Sequence, residues 1–275
     1  GKDVGGNEFW QLHWFDLKSR QTTLLTDGKA RNQGPLFSHD GKQFAWSSTA
    51  RNGKDTDVWV MDFATKQSRT VVTEGGQWTA MDFSPDGKRL LVMKYVSASE
   101  SYPGEVDLAT GKLELFPVEG GKASFNGFKF APDGQSVYYI SDEPIRADNG
   151  VGKPQEFRTL RYHNPATKQL DVLTAATPWD VEDLEIADDG KHLAYTTNED
   201  GIYQLHVLAL PSHKPVKLPA LPIGLVVNTA FSPDGKRLAV TMNSATSPSD
   251  VYVIDLRGGK LTRWTQSEVG GLDAS

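Results

Sequence analysis

The sequence lacks the local pattern that a serine nucleophile requires. Such a serine stands on a sharp strand-to-helix turn, written G-x-S-x-G, and a histidine and an acid from elsewhere complete the group. No G-x-S-x-G occurs in these 275 residues, and no serine or histidine lies in a context that indicates a triad. There is no cysteine, which excludes cysteine nucleophiles, thiolate metal sites and disulfides. We therefore predict no catalytic residue, and we expect that this chain by itself is not an enzyme.

Metal ligands do not form a pattern either. The six histidines, at positions 13, 39, 163, 192, 206 and 213, show no i, i+4 pair or other ligand spacing. The acidic stretch Asn52–Asp57 lacks the regular carboxylate spacing and the terminal glutamate of an EF-hand calcium loop. The sequence predicts no metal site and no cofactor.

Seven polar or aromatic residues are candidates for contact with a substrate or with another domain. They are Arg51, Asn52, Glu100, Tyr102, Glu143, Arg146 and Asp148. They lie in three segments, Ser47–Asp57, Val96–Gly104 and Ser141–Phe157, which interrupt a regular alternation of strands and turns. Loops often carry binding residues, although tolerance of insertions explains the longest segment equally well. Tryptophans such as Trp46 and Trp59 lie inside strand patterns, so we expect them to pack between sheets; a sugar-binding platform would need several tryptophans exposed on one rim.

Composition and charge exclude two classes of partner. The net charge is −6 and both signs are mixed along the chain, so no basic face predicts binding to nucleic acid. No apolar run approaches the roughly 20 residues that span a bilayer, so we predict no membrane partner. The absence of cysteine fits the cytoplasm and the periplasm equally, which leaves localisation open.

The elements that position the three segments repeat along the chain. The phrase FSPDGKRL occurs at Phe83–Leu90 and again at Phe231–Leu238, and variants begin at Phe37, Phe130 and Ile186. The glycines of these phrases fall at 41, 87, 134, 190 and 235, at intervals of 46, 47, 56 and 45 residues. Each phrase predicts a hairpin turn, because proline presets φ, aspartate bonds nearby amides and glycine accepts a positive φ.

A second strand–turn–strand pattern follows each hairpin, as in Asp57–Val72 and Asp250–Thr265. One repeat is therefore four short antiparallel strands, and no stretch shows helical periodicity. Four-stranded sheets at this period predict an all-β fold, a β-propeller whose blades pack face to face. The predicted blades are 34–73, 78–118, 125–175, 182–219 and 226–265, and 266–275 is expected to be an exit linker. The three interrupting segments join second to third strands, so they should project from the same face.

Residues 9–26 match only the second half of a blade, which makes five complete blades and a half blade. Leu12, Trp14 and Leu17 are expected in strands with an unpaired edge, which invites self-association through that edge or an open ring. We expect the other half of this blade, and any earlier blades, upstream of Gly1. The chain begins without methionine and reads as an excised or processed fragment, whose targeting segment would lie outside it.

The second strand of each blade is nearly continuously apolar, as expected for a strand that is covered on both faces. The positions predicted to be buried on one face are Phe44 and Trp46, Leu90 and Val92, Val137 and Tyr139, Leu193 and Tyr195, and Leu238 and Val240. The residues between them are predicted to face the neighbouring blade on the other side: Ala45, Leu91, Tyr138, Ala194 and Ala239.

The pattern SPDGKRLA followed by DVYVIDL resembles the repeats of TolB-like propellers, which many bacterial proteins share. A more particular likeness lies in Asp3–Leu17, Leu24–Lys42 and Ser47–Asp62, with SEVGGLDAS (Ser267–Ser275) at the exit. Over essentially the whole chain, these stretches are similar to the N-terminal propeller of prolyl oligopeptidase family serine peptidases.

The resemblance implies a non-catalytic role. In that family the propeller caps an α/β-hydrolase domain, whose serine, aspartate and histidine perform acyl transfer, and restricts access to short peptides. No position of this chain matches those catalytic residues or the paired-glutamate helix of some aminodipeptidase relatives, so the substrate class stays open. The alternative is a TolB-like scaffold that binds other proteins and has no enzyme attached. A third idea, a propeller polysaccharide lyase, lacks converging histidines or a metal set in this sequence.

Overall fold

The structure, a computed structural model, describes residues 1–146 and 152–271. Within these residues the regular elements are β-strands, and no helix long and apolar enough to span a membrane occurs among them. The chain divides into two compact units. The first unit comprises Gly1–Gln135 and Glu143–Lys153, and the second comprises Ser136–Asp142 and Pro154–Ser275.

The first unit opens with a two-stranded sheet and continues with two four-stranded sheets. The two-stranded sheet consists of β1 (His13–Phe15) and β2 (Thr22–Leu24). The next consists of β3 (Asn32–Phe37), β4 (Gln43–Ser48), β5 (Asp57–Asp62) and β6 (Ser68–Val72). The third consists of β7 (Gln77–Phe83), β8 (Arg89–Ser97), β9 (Glu100–Asp107) and β10 (Leu113–Leu115). The strand β11 (Phe125–Phe130) follows.

The second unit begins within the third repeat, at β12 (Val137–Ser141). The chain then forms the short hairpin of β13 (Ile145–Arg146) and β14 (Gly152–Lys153), which belongs to the first unit. It returns in β15 (Thr159–Asn164), which pairs with β12 and with β16 (Gln169–Val172). A four-stranded sheet follows, of β17 (Val181–Ile186), β18 (His192–Glu199), β19 (Ile202–Ala209) and β20 (Lys214–Pro215). The last sheet consists of β21 (Leu225–Phe231), β22 (Arg237–Ser244), β23 (Ser247–Asp255) and β24 (Leu261–Arg263).

Each four-stranded sheet is an antiparallel meander, because its strands pair in chain order; in the third repeat the hairpin β13–β14 intervenes between β12 and β15. The turns that join first to second and third to fourth strands lie at one end of a meander, which we call the turn edge. The connection from second to third strand and the link to the next sheet lie at the other end, which we call the loop edge. Both names apply within each unit.

The repeated phrase forms a closed turn at the turn edge. The Gly87 amide donates to the Ser84 carbonyl oxygen at 2.8 Å, and the Ser84 hydroxyl donates to Asp86 Oδ1 at 2.7 Å. Gly87 has a φ of +67°, which a residue with a Cβ adopts only at a cost. The Ser84 hydroxyl, followed by the Lys88 amide, lowers the pKa of Asp86. The same amide-to-carbonyl bond closes the turns at Gly41, Gly134, Gly190 and Gly235, so the phrase is a structural device.

Successive sheets of the first unit pack on both faces of the second strand. Ala45, on one face of β4, belongs to a buried cluster that includes Leu90 of the following sheet. Trp46, on the opposite face, packs with Leu12 of the N-terminal segment. Alternate residues of a strand point to opposite faces, which explains why a strand with neighbours on both sides is apolar throughout.

The second unit repeats this arrangement, with Ala194 of β18 in one buried cluster with Leu238 and Val240 of β22. Nearly all of the positions predicted to be buried are buried. Tyr195 and Ala239 are the exceptions, since both are half-buried. Ala239 points away from the cluster, and in the described part of the second unit no later sheet packs on that face. Tyr195 stacks on His206, with ring centroids 4.6 Å apart, and the His206 side chain remains 36% exposed.

The N-terminal segment forms only half of a meander. β1 pairs with β2, and in the described residues the other edge of this segment holds a single bridge, between Lys2 and Gln11. Trp14 lies in β1 and Leu12 directly precedes it. The expectation for Leu17 was wrong: it lies in the turn after β1 and is 82% exposed, because the chain reverses at Asp16, which accepts hydrogen bonds from the amides of Lys18 and Ser19.

Four-stranded antiparallel meanders that recur at a nearly constant interval and stack face to face are the blades of a β-propeller. In the described ranges, five repeats of four strands follow a half repeat of two, and the predicted fold class is confirmed.

Candidate ligand-binding edge

Two of the segments that carry the predicted contact residues, Ser47–Asp57 and Val96–Gly104, lie at the loop edge of the first unit, because each follows the second strand of a repeat. Backbone bonds tie the first of them to the neighbouring sheet. The Thr56 amide donates to the Gly76 carbonyl oxygen at 3.0 Å, and the Gly76 amide donates to Asp55 Oδ1 at 3.0 Å. This loop is therefore held against the link between the first two four-stranded sheets.

Arg51 and Asn52 are used within their own loop. Arg51 donates from Nε and Nη2 to the two oxygens of Asp57, at 2.6 and 3.0 Å, and Asp57 is fully buried. Asn52 Oδ1 accepts from the amides of Lys54 and Asp55, at 3.0 and 2.9 Å. The Asn52 amide group also donates to Asp55 and is the largest cause of the lowered pKa of that carboxyl. Both side chains hold the loop in shape.

Val96–Gly104 is not the loop that its composition indicates. Most of it extends β8 and β9, which meet in a tight turn at Ala98 and Ser99. The segment was predicted to interrupt the alternation of strands and turns, but the ladder between the two strands continues to Ser97 and Glu100.

Glu100 and Tyr102 form one hydrogen-bonded group on β9. The Tyr102 hydroxyl donates to Glu100 Oε1 at 2.6 Å, and Lys122 Nζ donates to Glu100 Oε2 at 2.7 Å. Lys122 and then Tyr102 lower the pKa of Glu100, and the bond to Glu100 raises the pKa of Tyr102. Both oxygens of Glu100 are therefore occupied.

The remaining predicted residues belong to the third segment. Glu143 is buried, and its Oε2 accepts from the Glu119 amide at 3.3 Å. Arg146 lies in β13, where its backbone pairs with Gly152. Asp148 lies outside the described residues. The structure thus joins Glu100 with Tyr102, and places Arg51 and Asn52 in a separate loop.

A groove of about 790 Å³ opens between the outer strand β6 of one sheet and β10 of the next. Tyr102 is the member of the predicted set that lines it. Trp78 and Lys94 are directly paired across β7 and β8, and Lys94 is paired with Tyr102 across β8 and β9. Directly opposite residues share a face of a sheet, so these three side chains form one row along the groove.

Two charged residues of this groove were not among the predicted contact residues: Lys94 and Glu74. Lys94 lies within a strand, where nothing in the local sequence distinguishes it. Glu74 offers a signal, because the link Glu74-Gly75-Gly76 recurs as Glu119-Gly120-Gly121 before the next repeat. This repetition places a carboxylate at the same point of two successive links.

The second unit has a larger cavity, of about 1430 Å³, at its own loop edge. It is lined by the β18–β19 turn at Gly201, by the β22–β23 hairpin and by Glu268 after the last strand. Ile223, in the link between the two sheets, is 75% exposed, and Leu225, the first residue of β21, is 42% exposed. The cavity combines apolar walls with the hydroxyls of serines and threonines.

In the second unit, His206, Thr197 and Glu199 lie close together but do not have the geometry of a catalytic triad. His206 Nε2 lies 2.9 Å from Thr197 Oγ1 and 3.9 Å from Glu199 Oε1. A triad needs the acid on one ring nitrogen and the nucleophile on the other, whereas here the same nitrogen faces both. Burial lowers the pKa of His206. Among the residues that the structure describes, no group of three or more histidine and carboxylate side chains could hold a metal ion.

No family profile matches the sequence. An uncharacterized protein from Agrobacterium fabrum, Atu1656, is 26% identical over 148 residues, which are 50% of this chain and 50% of that protein. The chain thus matches half the length of this curated relative.

Solved structures match most of the chain. A puromycin-hydrolyzing peptidase from Mycobacterium tuberculosis matches with a TM-score of 0.72 at 16% identity, over 98% of this chain and 42% of that chain. An oligogalacturonate lyase in complex with manganese matches with a TM-score of 0.71 at 17% identity, over 92% of this chain and 70% of that one. TolB from Acinetobacter baumannii matches with a TM-score of 0.65 at 17% identity, over 92% of this chain and 59% of that one. At this identity the likeness establishes the β-propeller fold alone.

Proposed function

We propose that this chain is the non-catalytic propeller domain of a prolyl oligopeptidase-like serine peptidase. The observation that carries the proposal is the match to the puromycin-hydrolyzing peptidase, which extends over 98% of this chain but only 42% of that one. A chain that corresponds to the propeller domain of a longer peptidase would be matched over nearly its whole length and would cover only part of the peptidase. The sequence agrees with it, because it has the stretches that resemble peptidase propellers and lacks G-x-S-x-G.

In this role the propeller docks on an α/β-hydrolase domain and limits its substrates to short peptides. Exposed apolar residues at the loop edge of the second unit, Ile223 and Leu225, supply a surface that a second domain can bury. The loop of Arg51 is held by two bonds to a buried carboxylate, so it presents a fixed shape. A rigid rim admits flexible short peptides and excludes folded chains.

The test of this proposal is made on the longer protein. The encoded sequence downstream of Ser275 should contain a stretch of roughly domain length with G-x-S-x-G. The full-length protein should cleave short fluorogenic peptides. It should leave intact a folded protein that contains the same cleavage sequence as the peptide. A stop codon directly after Ser275, or equal cleavage of the short peptide and the folded protein, would contradict the proposal.

The alternative is a TolB-like scaffold, which the match to TolB over 92% of this chain favours. A scaffold needs no attached enzyme and binds its partner through the rim or the faces of the propeller. Affinity capture from the source cells separates the two functions. If the chain is a scaffold, it should retain a separate partner protein. If it is the propeller of a peptidase, its partner is the hydrolase domain of the same polypeptide, and no separate protein should be retained.

Self-association through the N-terminal half blade is a further part of the proposal. β1 is paired on one side by β2, and exposed Phe15 and Leu24 lie on these two strands. An edge strand with free backbone groups and exposed apolar side chains pairs readily with another chain. Sedimentation velocity over a hundredfold concentration range should reveal a dimer, and a monomer at every concentration would exclude this contact.

A further inference from the structure

We propose that the groove between β6 and β10 binds the zwitterionic backbone of a short peptide. Lys94 would receive the peptide carboxylate, Glu74 would receive its ammonium group, and the leucines of β10 would contact an apolar side chain. The ligand class follows from the charges and surfaces of the groove. Only the suggestion that this peptide is a substrate or product of an attached peptidase rests on the proposed function.

Two charged side chains in the groove, Lys94 and Glu74, have no partner of opposite charge among the described residues. Lys94 Nζ lies 5.9 Å from the centroid of the Trp78 ring, and no carboxylate pairs with it among the residues that the structure describes. Glu74 is exposed and likewise has no cationic partner within the described ranges. By contrast, neighbouring charges on this edge are neutralised: Glu100 by Lys122, and Arg51 by Asp57.

Two opposite charges in one groove select the ligand. A simple anion attracted to Lys94 would be repelled by Glu74, and a simple cation would be repelled by Lys94. A molecule with a carboxylate at one end and an ammonium group at the other satisfies both, and charge-assisted hydrogen bonds of this kind are stronger than neutral ones. Free peptides carry this pair of charges at neutral pH.

The rest of the groove suits a short peptide with an apolar side chain. Leu113 and Leu115 line one wall, and Leu115 is 54% exposed, so contact with a ligand would remove apolar surface from water. The volume of about 790 Å³ lies within the range of small-molecule sites. Tyr102 presents a fixed ring, because its hydroxyl is bonded to Glu100.

Gly76 positions the lysine. A Cβ built on Gly76 would lie 3.0 Å from Lys94 Cε, so the lysine side chain crosses directly over this glycine. A larger residue at position 76 would lift Lys94 away from its place. The Glu74-Gly75-Gly76 link thus supplies both the carboxylate and the space in which the ammonium group lies.

The experiment is calorimetric titration of the purified 275-residue chain with the dipeptide Leu-Leu and its two singly blocked forms, N-acetyl-Leu-Leu and Leu-Leu amide. Each blocked form should bind about fivefold more weakly, as expected for the loss of one partly exposed ion pair. Lys94→Gln should weaken the binding of Leu-Leu about fivefold. This variant should bind Leu-Leu and Leu-Leu amide equally but should still bind N-acetyl-Leu-Leu more weakly. Glu74→Gln should bind Leu-Leu and N-acetyl-Leu-Leu equally but should still bind Leu-Leu amide more weakly.

The matched control is the double variant Lys112→Gln with Glu114→Gln, which removes one charge of each sign from an ion pair at the start of β10, whose two side chains do not line the groove. It should bind Leu-Leu like the unmodified chain. Binding that is equal for free and blocked dipeptides, or unchanged in both Lys94→Gln and Glu74→Gln, would overturn the proposal, as would no binding at 10 mM. Because the propeller chain alone is titrated, these outcomes do not depend on an attached peptidase.

Discussion

The side-chain amide of Gln43 donates a hydrogen bond to the carbonyl oxygen of Gly87 at 2.6 Å. Gln43 follows the repeated turn of one sheet, and Gly87 is the glycine of the same turn in the next sheet. Arg89 occupies the position of Gln43 one repeat later, and its guanidinium donates to the Gly134 carbonyl oxygen. The repeated phrase therefore does more than reverse the chain, because it bonds each of these repeats to the next.

Replacing Gln43 by alanine should destabilise the chain. The substitution removes the bond and leaves a partly buried carbonyl without its donor, which costs about 1 kcal/mol. We expect the midpoint of urea denaturation to fall. Gln67→Ala is the matched control, because Gln67 is exposed and its side chain makes no hydrogen bond in the described residues. Equal midpoints for the two variants would show that the bond does not contribute.

Two glycines at the same place in the repeat should respond differently to alanine. Gly41 and Gly235 have φ values of +69° and +65°, so each substitution costs about 1–2 kcal/mol from the backbone alone. A Cβ on Gly41 meets nothing within 4 Å, whereas a Cβ on Gly235 would lie 2.3 Å from Asp189 Cγ. Gly235→Ala should therefore lower the denaturation midpoint more than Gly41→Ala does.

The excess cost at Gly235 has a direct check, the double variant Gly235→Ala with Asp189→Ala. Removing the carboxylate makes room for the new methyl group, so the double variant should be less destabilised than the sum of the two single variants. If the losses of stability in the two single variants add exactly in the double variant, or if alanine has the same effect at Gly41 and Gly235, the cost of Gly235→Ala arises from the backbone alone.

Stability at low pH should depend on Asp250. Its carboxylate accepts hydrogen bonds from the Thr265 hydroxyl at 2.7 Å and from the Ser267 amide at 2.9 Å, and it pairs with Arg263. Thr265, followed by Arg263 and Ser267, lowers the pKa of Asp250 to about 2. A depressed folded-state pKa stabilises the fold above the unfolded value of about 3.9, and the contribution is lost as the pH falls through about 2.

This dependence can be measured as the melting temperature between pH 5 and pH 2. Asp250→Asn should flatten the part of the profile between about pH 4 and pH 2. Thr265→Val removes the largest cause of the shift, so in this variant the loss of stability should be smaller and should be complete at a higher pH. Profiles of the same shape in all three proteins would mean that Asp250 does not titrate in this range.

The sequence predicts the fold well because each repeat carries its own turn chemistry and strand alternation. Ser84, Asp86 and Gly87 form their turn from local bonds, so the phrase is readable wherever it occurs. Tyr195 and Ala239 departed from the pattern because their exposure depends on what covers the outer faces of the sheets. The groove could not be predicted from the sequence, because Trp78, Lys94 and Tyr102 lie on three different strands. The pairing register of β7, β8 and β9 brings their side chains into one row.

The proposal that this chain is a propeller without catalytic groups of its own can be checked by a turnover assay. The purified chain should hydrolyse neither a p-nitrophenyl ester nor a fluorogenic dipeptide faster than buffer, and it should not cleave oligogalacturonate in the presence of Mn²⁺. The predicted result is no rate that increases with protein concentration. A rate that is proportional to the concentration of the chain, and is abolished by substitution of a single residue within it, would contradict the account.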